Sequence, residues 1–372
     1  MAQMGAPDSI TSLTISALNR QGADVHLVYW ERTGSPVAIP LSCGLRPSNV
    51  HPISVSPASN RLQGFYRRIK VLCCMGKCMR GLPADVLDVS SVELLVAAMA
   101  ARKRGQPIVF HLLDSRAWMR WPPVATLVRH LFRSVSLFVV RSPRFESHFL
   151  RWHKLIRPEA RVISVPNPAS REVFQHYQRR PFDGRIVLGY IGTIRGEAAL
   201  RGMAQGVAQA RRRGVNAQGL FAGTGPDVDI VRAFCAGQES LAYTGAFYYY
   251  QDIRSLYEKV DVVYAVYEDS EDKRIHVACR LAEAVLCGLP IIVKEGTYMA
   301  EIVREKGLGF VVPLGDGGAV AEALARLARE PALREGIKSR CRAAELTYYF
   351  EHHVEDFLKA YGKLMTPDSG LG

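Results

Sequence analysis

Short apolar runs alternate with amphipathic segments along most of the chain. A helix-like segment covers residues 9–20, with Ile10, Leu13 and Leu18 on one side, and no clear strand precedes it. Apolar runs of about four to eight residues that alternate with helical patterns are typical of a parallel, doubly wound sheet. In the first half of the chain they predict strands at 24–30, 84–89, 107–112, 134–140 and 161–165.

The second half of the chain repeats this alternation, which predicts a second doubly wound domain. In the helix predicted at 198–212, one apolar stripe contains Leu200, Met203 and Val207. The other helices are predicted at 252–259, 280–286 and 319–328. The strands are predicted at 186–191, 218–222, 241–244, 261–266, 289–293 and 309–312.

The domain boundaries follow from prolines and from a last helix. Pro166 and Pro168 end a strand, so a linker is expected near 171–184. A long amphipathic helix at 349–365 must pack on another part of the molecule. We therefore predict domains at 1–175 and 176–345, followed by a helix and tail at 346–372.

Composition excludes several classes of protein. With 372 residues, 48% of them hydrophobic, the chain can form two cores, and this excludes a disordered or a small disulfide-stapled protein. It contains neither a run of about 18 apolar residues nor a signal-peptide pattern, so we expect a cytoplasmic protein. Cys73, Cys74 and Cys78 form the only cysteine cluster, and no second Cys or His pair completes a tetrahedral site. We expect reduced thiols and no metal.

The positive charge is concentrated in the first half. Residues 1–175 contain 23 Lys and Arg against 10 Asp and Glu, whereas 176–372 contain 25 of each kind. Such a face attracts nucleic acid, an acidic membrane or a phosphorylated substrate, or it is only a solvated surface. The stretch 64–80 combines basic, aromatic and aliphatic residues with no acid, and 129–161 is similar. These stretches fit either a membrane-surface segment or ordinary helices whose Lys and Arg extend into solvent.

Three glycine-rich turns directly follow predicted strands, at 189–195, 222–227 and 295–298. Glycine lets backbone amides approach a phosphate closely, and the start of the next helix favours an anion. Arg195 and Arg201 near the first turn suit a diphosphate. The candidate ligand-binding residues in and directly after these turns are Gly192, Thr193, Gly223, Gly225, Gly296, Thr297, Tyr298 and Met299. Neither a Gly-x-Gly-x-x-Gly motif opens the first domain nor a Gly-Lys-Ser/Thr follows a strand, which disfavours dinucleotide and P-loop sites.

Two carboxylates lie beside the strand predicted at 289–293. Glu283 precedes it in a short helix, and Glu301 follows it in the next helix. Glu283 could accept two hydrogen bonds from a ribose diol, as acids do in nucleotide sites. Alternatively it is a surface carboxylate paired with Arg280, three residues earlier.

Together these motifs resemble the retaining glycosyltransferases of the GT-B fold, family 4-like, in the group called glycosyl transferases group 1. The motifs follow the family's order over about 190 residues, whereas residues 1–160 are similar in architecture alone. The matching segments are 165–167 (Val-Pro-Asn) with Phe174, 189–192, 221–226, 243–245, 280–283, 288–290, Glu301, 309–313 and 350–351.

The resemblance implies two Rossmann-like domains facing a cleft, with the last helix crossing back to the first domain. The first domain would bind the acceptor and the second a UDP- or GDP-sugar. Glu283 is similar to the family's ribose ligand, Arg195 and Arg201 to its diphosphate-binding pair, and Glu301 to a residue that supports the donor loop. Arg280 fits branches of the family that have a basic residue at this place. A hexose would move to an acceptor hydroxyl with retention, without metal or cofactor.

Two departures and two further candidates accompany this resemblance. Ile275 occupies the place of the family's second glutamate, so that interaction is absent or moved to Asp269, Glu271 or Asp272. The first strand and its glycine loop are short or missing. His111 and Asp114 follow a strand where the family presents such side chains to the sugar or the acceptor, although His111 also suits a buried structural role.

The basic first domain suggests a lipid-linked or polysaccharide acceptor in cell-surface glycan synthesis. The protein would then be cytoplasmic or peripheral on the inner face of the cytoplasmic membrane, bound to an anionic surface, and would not bind nucleic acid. One alternative is a nucleotide-sugar epimerase, which needs carboxylates from the acid-poor first domain. The other is a degenerate, non-catalytic partner protein, favoured by Ile275 and the short amino end.

Overall fold

The computed structural model describes residues 2–3, 9–31, 44–55, 61–114, 117–165, 167, 169–247 and 249–365. Two compact units make up the chain. The first contains Met1–Pro166 and His353–Gly372, and the second contains Asn167–His352. Residues 167–175, predicted as part of the first domain, thus belong to the second unit. The last residues return to the first unit, as the resemblance implied.

The first unit contains a seven-stranded parallel sheet in the order β3-β2-β1-β4-β5-β6-β7. All five strands predicted in this half are present. β1 lies between β2 and β4, so the expectation that no strand precedes the first helix was wrong. β3, which contains Pro52, was also missed, and it lies at the sheet edge, where a strand tolerates proline. The strands are β1 (Ala2–Gln3), β2 (Leu27–Glu31), β3 (Val50–Ser54), β4 (Leu87–Val89), β5 (Ile108–Leu112), β6 (Leu137–Val140) and β7 (Val162–Ser164).

The helices of this unit cover the two faces of its sheet. They are α1 (Ser9–Arg20), α2 (Arg61–Gly81), α3 (Val92–Ala101), α4 (Pro122–Phe132) and α5 (Pro143–Phe145), the last continued by a π-helix at Glu146–Arg151. α2 contacts α3, and α3 contacts α4. Right-handed crossovers from β3 to β4, β4 to β5 and β5 to β6 place these three helices on one face. We call α2, α3 and α4 the helix layer; α1, whose crossover runs the other way, lies on the opposite face.

The second unit contains a six-stranded parallel sheet in the order β10-β9-β8-β11-β12-β13. This order is the doubly wound arrangement predicted from the alternation of patterns. Its strands are β8 (Ile186–Ile191), β9 (Ala217–Ala222), β10 (Leu241–Tyr243), β11 (Val262–Ala265), β12 (Ile291–Lys294) and β13 (Gly309–Val312). Its helices are α6 (Arg171–Phe174), α7 (Glu197–Arg212), α8 (Val228–Gly237), α9 (Tyr249–Tyr257), α10 (Glu271–Ile275), α11 (Cys279–Leu286), α12 (Tyr298–Lys306), α13 (Gly317–Arg329) and α14 (Pro331–Ala344).

A long helix, α15 (Phe350–Met365), ends the described chain. It begins in the second unit, where the Phe350 amide donates to the Ala169 carbonyl. In the first unit Phe357 is buried, and the hydroxyl of Tyr361 donates to Asp88 on β4. These contacts explain the amphipathic pattern that predicted the helix. No helix of the described residues is long and apolar enough to cross a membrane.

Candidate functional site

The second sheet changes direction between β8 and β11. From β8 the chain proceeds to β9 on one side, whereas from β11 it proceeds to β12 on the other. In such sheets the loops at the carboxyl ends of these two strands diverge and leave a crevice that binds ligands. The turns predicted to bind a ligand all leave this edge, after β8, β9 and β12.

The glycines of the first two turns let the β8 and β9 loops touch each other. A Cβ on Gly223 would overlap the Gly192 carbonyl oxygen, and one on Gly225 would overlap the Ile194 carbonyl oxygen. The Ile194 amide also donates to the Thr224 carbonyl, at 2.8 Å. These glycines therefore permit loop packing, a requirement that the sequence pattern does not distinguish from phosphate binding. Thr193 lies exposed at the tip of the β8 loop.

Arg280, in the first turn of α11, brings a buried positive charge to this edge. The residue is only 5% exposed, and its guanidinium lies next to the α-carbon of Gly192. Its Nε donates to the Ile191 carbonyl, and its Nη1 donates to the Tyr267 hydroxyl at 3.1 Å. The guanidinium carbon lies 4.3 Å from the ring centre of Tyr190. Among the described residues no carboxylate forms an ion pair with this cation.

Glu283 lies one turn further along α11 and is 2% exposed. Its Oε2 accepts a hydrogen bond from the Tyr257 hydroxyl at 2.6 Å. Burial raises the pKa of Tyr257 well above its usual value, and the carboxylate of Glu283 raises it further. The same two causes raise the pKa of Cys279 to about 12. The interpretation of Glu283 as a surface carboxylate was therefore wrong, because it is buried and orients towards Tyr257 while Arg280 contacts the β8 loop.

The loop after β12 begins helix α12. The Thr297 hydroxyl donates to the Lys294 carbonyl at 2.8 Å and accepts from the Ala300 amide at 3.1 Å, so this side chain caps the helix. Gly296 has a φ of 69° and no atom near its missing Cβ. Tyr298 is partly buried, Met299 is buried, and Glu301 is exposed on α12. The loop predicted to bind the donor is thus fixed by the Thr297 cap at the start of α12.

The two arginines predicted to bind a diphosphate lie in different surroundings. Arg195 is exposed in the β8 loop. Arg201 is on α7, where its guanidinium pairs with Glu197 and lies 5.6 Å from the Phe234 ring centre. The sequence reasoning missed two carboxylates at the start of α7. Glu268 accepts from the Ala198 amide at 3.0 Å, and Asp227 accepts from the Gly196 amide at 2.7 Å.

Charged side chains surround the place where the family has its second glutamate. Ile275 is 6% exposed and buried at the end of α10. Nearby, Asp269 binds Lys294 at 2.9 Å and also pairs with Arg274. Asp272 pairs with Lys273 at 3.1 Å. The enclosed space next to Lys273 and Lys294 has a volume of about 10 Å³, which is room for about one water.

His111 and Asp114 lie in the first unit, and the structure gives His111 a buried partner. Its Nε2 is 3.0 Å from Oδ2 of Asp88, which also accepts the Tyr361 hydroxyl. Burial acts to raise the pKa of Asp88, but the nearby His111 and the Tyr361 hydroxyl prevail and lower it. Asp114 follows β5 and is half-buried. No group of three His, Cys, Asp or Glu among the described residues is placed to hold a metal ion.

Comparisons with known proteins agree with this fold. Residues 185–330 match the family model of glycosyl transferases group 1. The crystal structure of Anabaena HepE in complex with UDP and glucose is similar at 15% identity and a TM-score of 0.72, over 97% of this chain and 99% of that chain. Sucrose-phosphate synthase from Thermosynechococcus elongatus is similar at 15% identity and 0.69, over 98% of both chains. No curated protein sequence is significantly similar.

A third solved structure is a UDP-forming trehalose-phosphate synthase from Burkholderia xenovorans, at 15% identity and a TM-score of 0.69, over 98% of this chain and 99% of that chain. The chain therefore has the GT-B glycosyltransferase fold. The predicted resemblance to glycosyl transferases group 1 is confirmed, and its sequence match covers the second unit from β8 to α13.

Proposed function

We propose that this chain is a retaining, metal-independent glycosyltransferase that moves a hexose from a UDP- or GDP-sugar to an acceptor hydroxyl. The observation that carries the proposal is the buried guanidinium of Arg280 at the β8 loop, which no carboxylate of the described residues neutralises. A buried charge is costly unless it is paired. The diphosphate of a nucleotide-sugar would supply the missing negative charge, and HepE of Anabaena, with the same fold, binds UDP-glucose.

In this mechanism the second unit binds the donor and stabilises the leaving diphosphate. Arg280 and the exposed Arg195 face the phosphates, together with the backbone amide of Thr193, whereas the Gly192 amide already donates to the Ala222 carbonyl. Preorganised cations and amides stabilise the charge that develops as the glycosidic bond breaks. Glu283, oriented by Tyr257, binds the ribose diol. The sugar lies over Gly296 and Met299, and the incoming hydroxyl attacks from the face that the diphosphate leaves.

Donor binding tests this assignment directly. Titration calorimetry with UDP and GDP should show that Arg280→Gln binds the preferred nucleotide about ten- to a hundredfold more weakly, because it loses charge-assisted hydrogen bonds. Arg212→Gln, at the end of α7 on the surface, removes the same charge and should bind normally. If the wild type bound neither nucleotide, or if Arg280→Gln bound as well as the wild type, the proposal would be wrong.

The stereochemistry and metal requirement have their own tests. Product NMR should show that the new bond keeps the anomeric configuration of the donor. Activity should survive EDTA. Inversion of configuration, or loss of activity that added metal restores, would contradict the proposed reaction.

We further propose that the acceptor is lipid-linked or a growing polysaccharide, presented at the inner face of the cytoplasmic membrane for cell-surface glycan synthesis. Nine of the twelve exposed large hydrophobic side chains of the described residues lie between positions 62 and 152. Helix α2 adds six Lys or Arg and no acid. Exposed aromatic and aliphatic side chains among cations suit an anionic lipid surface.

A second candidate function is that of a non-catalytic partner with a retained nucleotide site. It is favoured by Ile275, which is buried where the family has an acid. The two candidates differ in one measurement. If UDP or GDP binds but no sugar is transferred to any lipid extract or glycan with a panel of nucleotide-sugars, the non-catalytic function is favoured.

A further inference from the structure

A basic cavity opens at the amino ends of β6 and β7 in the first unit. Its volume is about 400 Å³. Arg129 and Arg133 come from the end of α4, and Lys154, Arg157 and Arg161 come from the segment before β7. His111 lies near the carboxyl end of β5 and Asp114 follows it, at the opposite edge of the same sheet. The cavity is therefore separate from the two residues of this unit that were predicted to face the sugar or the acceptor.

The charges around this cavity are strongly unbalanced. Five cations surround it, with Glu159 as the single acid among the lining residues. Glu159 lies 3.7 Å from Arg157. In the part of the chain that the structure describes, no ion pair or side-chain hydrogen bond engages the charged groups of the other four. Like charges gathered without counter-charges repel one another, and a bound anion relieves that repulsion.

The loop that presents these cations is fixed by hydrogen bonds from the partly exposed Arg151. Arg151 donates to the carbonyls of Pro158 at 2.9 Å and Arg157 at 3.3 Å, and its Nε donates to Glu146 at 2.7 Å. Leu155 and Phe132 are buried beneath the cavity. The cations thus project from a preorganised loop, which reduces the entropy lost when a ligand binds.

Lys154 adds an independent observation. Its φ of 52° is the only positive φ of a non-glycine residue among the described residues. Its amide bonds the Arg151 carbonyl and the next amide bonds the Leu150 carbonyl, so Lys154 occupies the helix-ending position where glycine is free of strain. A lysine at this position lowers the stability of the fold but places a cation at the cavity. Strained backbone conformations of this kind cluster at ligand sites.

We propose that this cavity binds a phosphate group. The oxygens of one phosphate group can accept hydrogen bonds from several guanidinium and ammonium groups at once. The ligand is either the phosphorylated headgroup of a membrane lipid or a free phosphate compound. Six of the exposed hydrophobic side chains described above lie on the helix layer, whose last helix, α4, ends next to Arg133. A lipid headgroup is therefore compatible with the proposed membrane contact, but binding of phosphate at the cavity does not depend on that contact.

The test compares two variants of the full chain with a charge-matched control. Arg133→Gln/Arg161→Gln removes two cations from the cavity, and Lys154→Gly removes the strained one. Lys359→Gln/Lys363→Gln removes two exposed cations of α15 in the same unit. The probes are inorganic phosphate, followed by calorimetry, and phosphatidylcholine vesicles with or without phosphatidic acid, followed by co-sedimentation.

We expect the cavity pair to weaken phosphate or phosphatidic acid binding about tenfold or more, and the control pair to change it less than about threefold. Lys154→Gly should also weaken binding while its melting temperature stays equal or rises, because glycine relieves the strain. Competition by inorganic phosphate would identify a free anion as a ligand, whereas binding to vesicles alone would identify the headgroup.

Three results would overturn the proposal: no binding of either probe by the wild type, equal losses in the cavity and control pairs, or unchanged binding in both cavity variants. The melting temperature of the first unit serves as the folding control, and UDP or GDP titration reports the proposed nucleotide site, which lies in the second unit. A variant that binds the nucleotide normally but loses phosphate binding separates this inference from the proposed function.

Discussion

At the scale of single residues, Asp88 joins three parts of the first unit. It lies on β4, contacts His111 on β5 and accepts the Tyr361 hydroxyl from α15. Asp88→Ala would leave both partners buried and unpaired, and we expect it to lower the free energy of unfolding by about 3 kcal/mol. Asp85→Ala, exposed three residues earlier, should change it by less than about 0.5 kcal/mol. Urea unfolding of the two variants measures the difference, and equal losses would contradict this role.

The same carboxylate predicts a pH dependence. Its pKa in the folded protein is lower than in the unfolded chain, so its stabilising contribution is complete above about pH 4 and is lost as pH falls through the folded pKa. The gap in melting temperature between wild type and Asp88→Asn should therefore be constant between about pH 5 and 7 and narrow below about pH 4. A gap that widens on acidification would mean that the carboxylate is not the stabilising form.

The glycines in the loops after β8 and β9 support a second prediction about single residues. Gly223 and Gly214 both have positive φ values, but only at Gly223 would a Cβ meet another backbone, the Gly192 carbonyl. Gly223→Ala should cost about 3 kcal/mol and abolish nucleotide binding, whereas Gly214→Ala should cost about 1 kcal/mol and preserve it. Thermal unfolding and UDP titration check both variants. Similar behaviour of the two would show that loop contact does not matter.

The residue types at the edge of the second sheet could be predicted from the sequence, but their contacts could not. Glu283 and Gly192 were singled out from the pattern of helices and glycine-rich turns, and Arg280 was implied as a site residue by the family resemblance. Spacing along a helix allowed an Arg280–Glu283 pair, since residues three apart are neighbours there. The fold instead turns Arg280 to the β8 loop and Glu283 to Tyr257, which is 26 residues away in sequence. Glu268 was missed because nothing local marks a carboxylate that caps a helix 70 residues earlier.

At the scale of elements, the strands formed by a short apolar run were found from sequence, and β1 and β3, which lack such a run, were not. β8 was predicted with the bounds that the structure has, because all its residues are buried and apolar or glycine. β1 has only two residues, too few for any periodic pattern. β3 alternates partly buried and exposed residues around Pro52. Both are held by pairing with β2, which is a tertiary contact.

Helix α2 supports a prediction about membrane binding. Leu62, Phe65, Tyr66 and Ile69 recur at helical spacing and are all exposed, Leu62 by 83%. Leu62→Ser should hardly change stability but should weaken binding to anionic vesicles about tenfold, since it removes apolar area that would enter the lipid. Leu346→Ser, an exposed leucine of the second unit, is the matched control. If the same fraction of both variants co-sedimented with the vesicles, α2 would be excluded as the membrane contact.

At the scale of the whole molecule, the charge of the chain is divided unequally between its two halves. The excess of basic residues lies within 1–175, and the remainder has equal numbers of acids and bases. The exposed cations of α2 and α4 act through solvent, where salt screens them within about 10 Å at 0.1 M. Arg280, by contrast, is buried in the second unit and is screened much less.

This contrast predicts two different salt dependences in one protein. Raising the salt concentration from about 0.05 M to about 0.5 M should release the protein from anionic vesicles, because the surface attraction of about 1 kcal/mol per basic residue is screened. UDP or GDP affinity should fall by less than about fivefold over the same range, since Arg280, the proposed diphosphate ligand, is buried. Co-sedimentation and calorimetry at matched salt concentrations measure both. Parallel losses would mean that the nucleotide is held by exposed charges such as Arg195 and that the buried guanidinium serves only the fold.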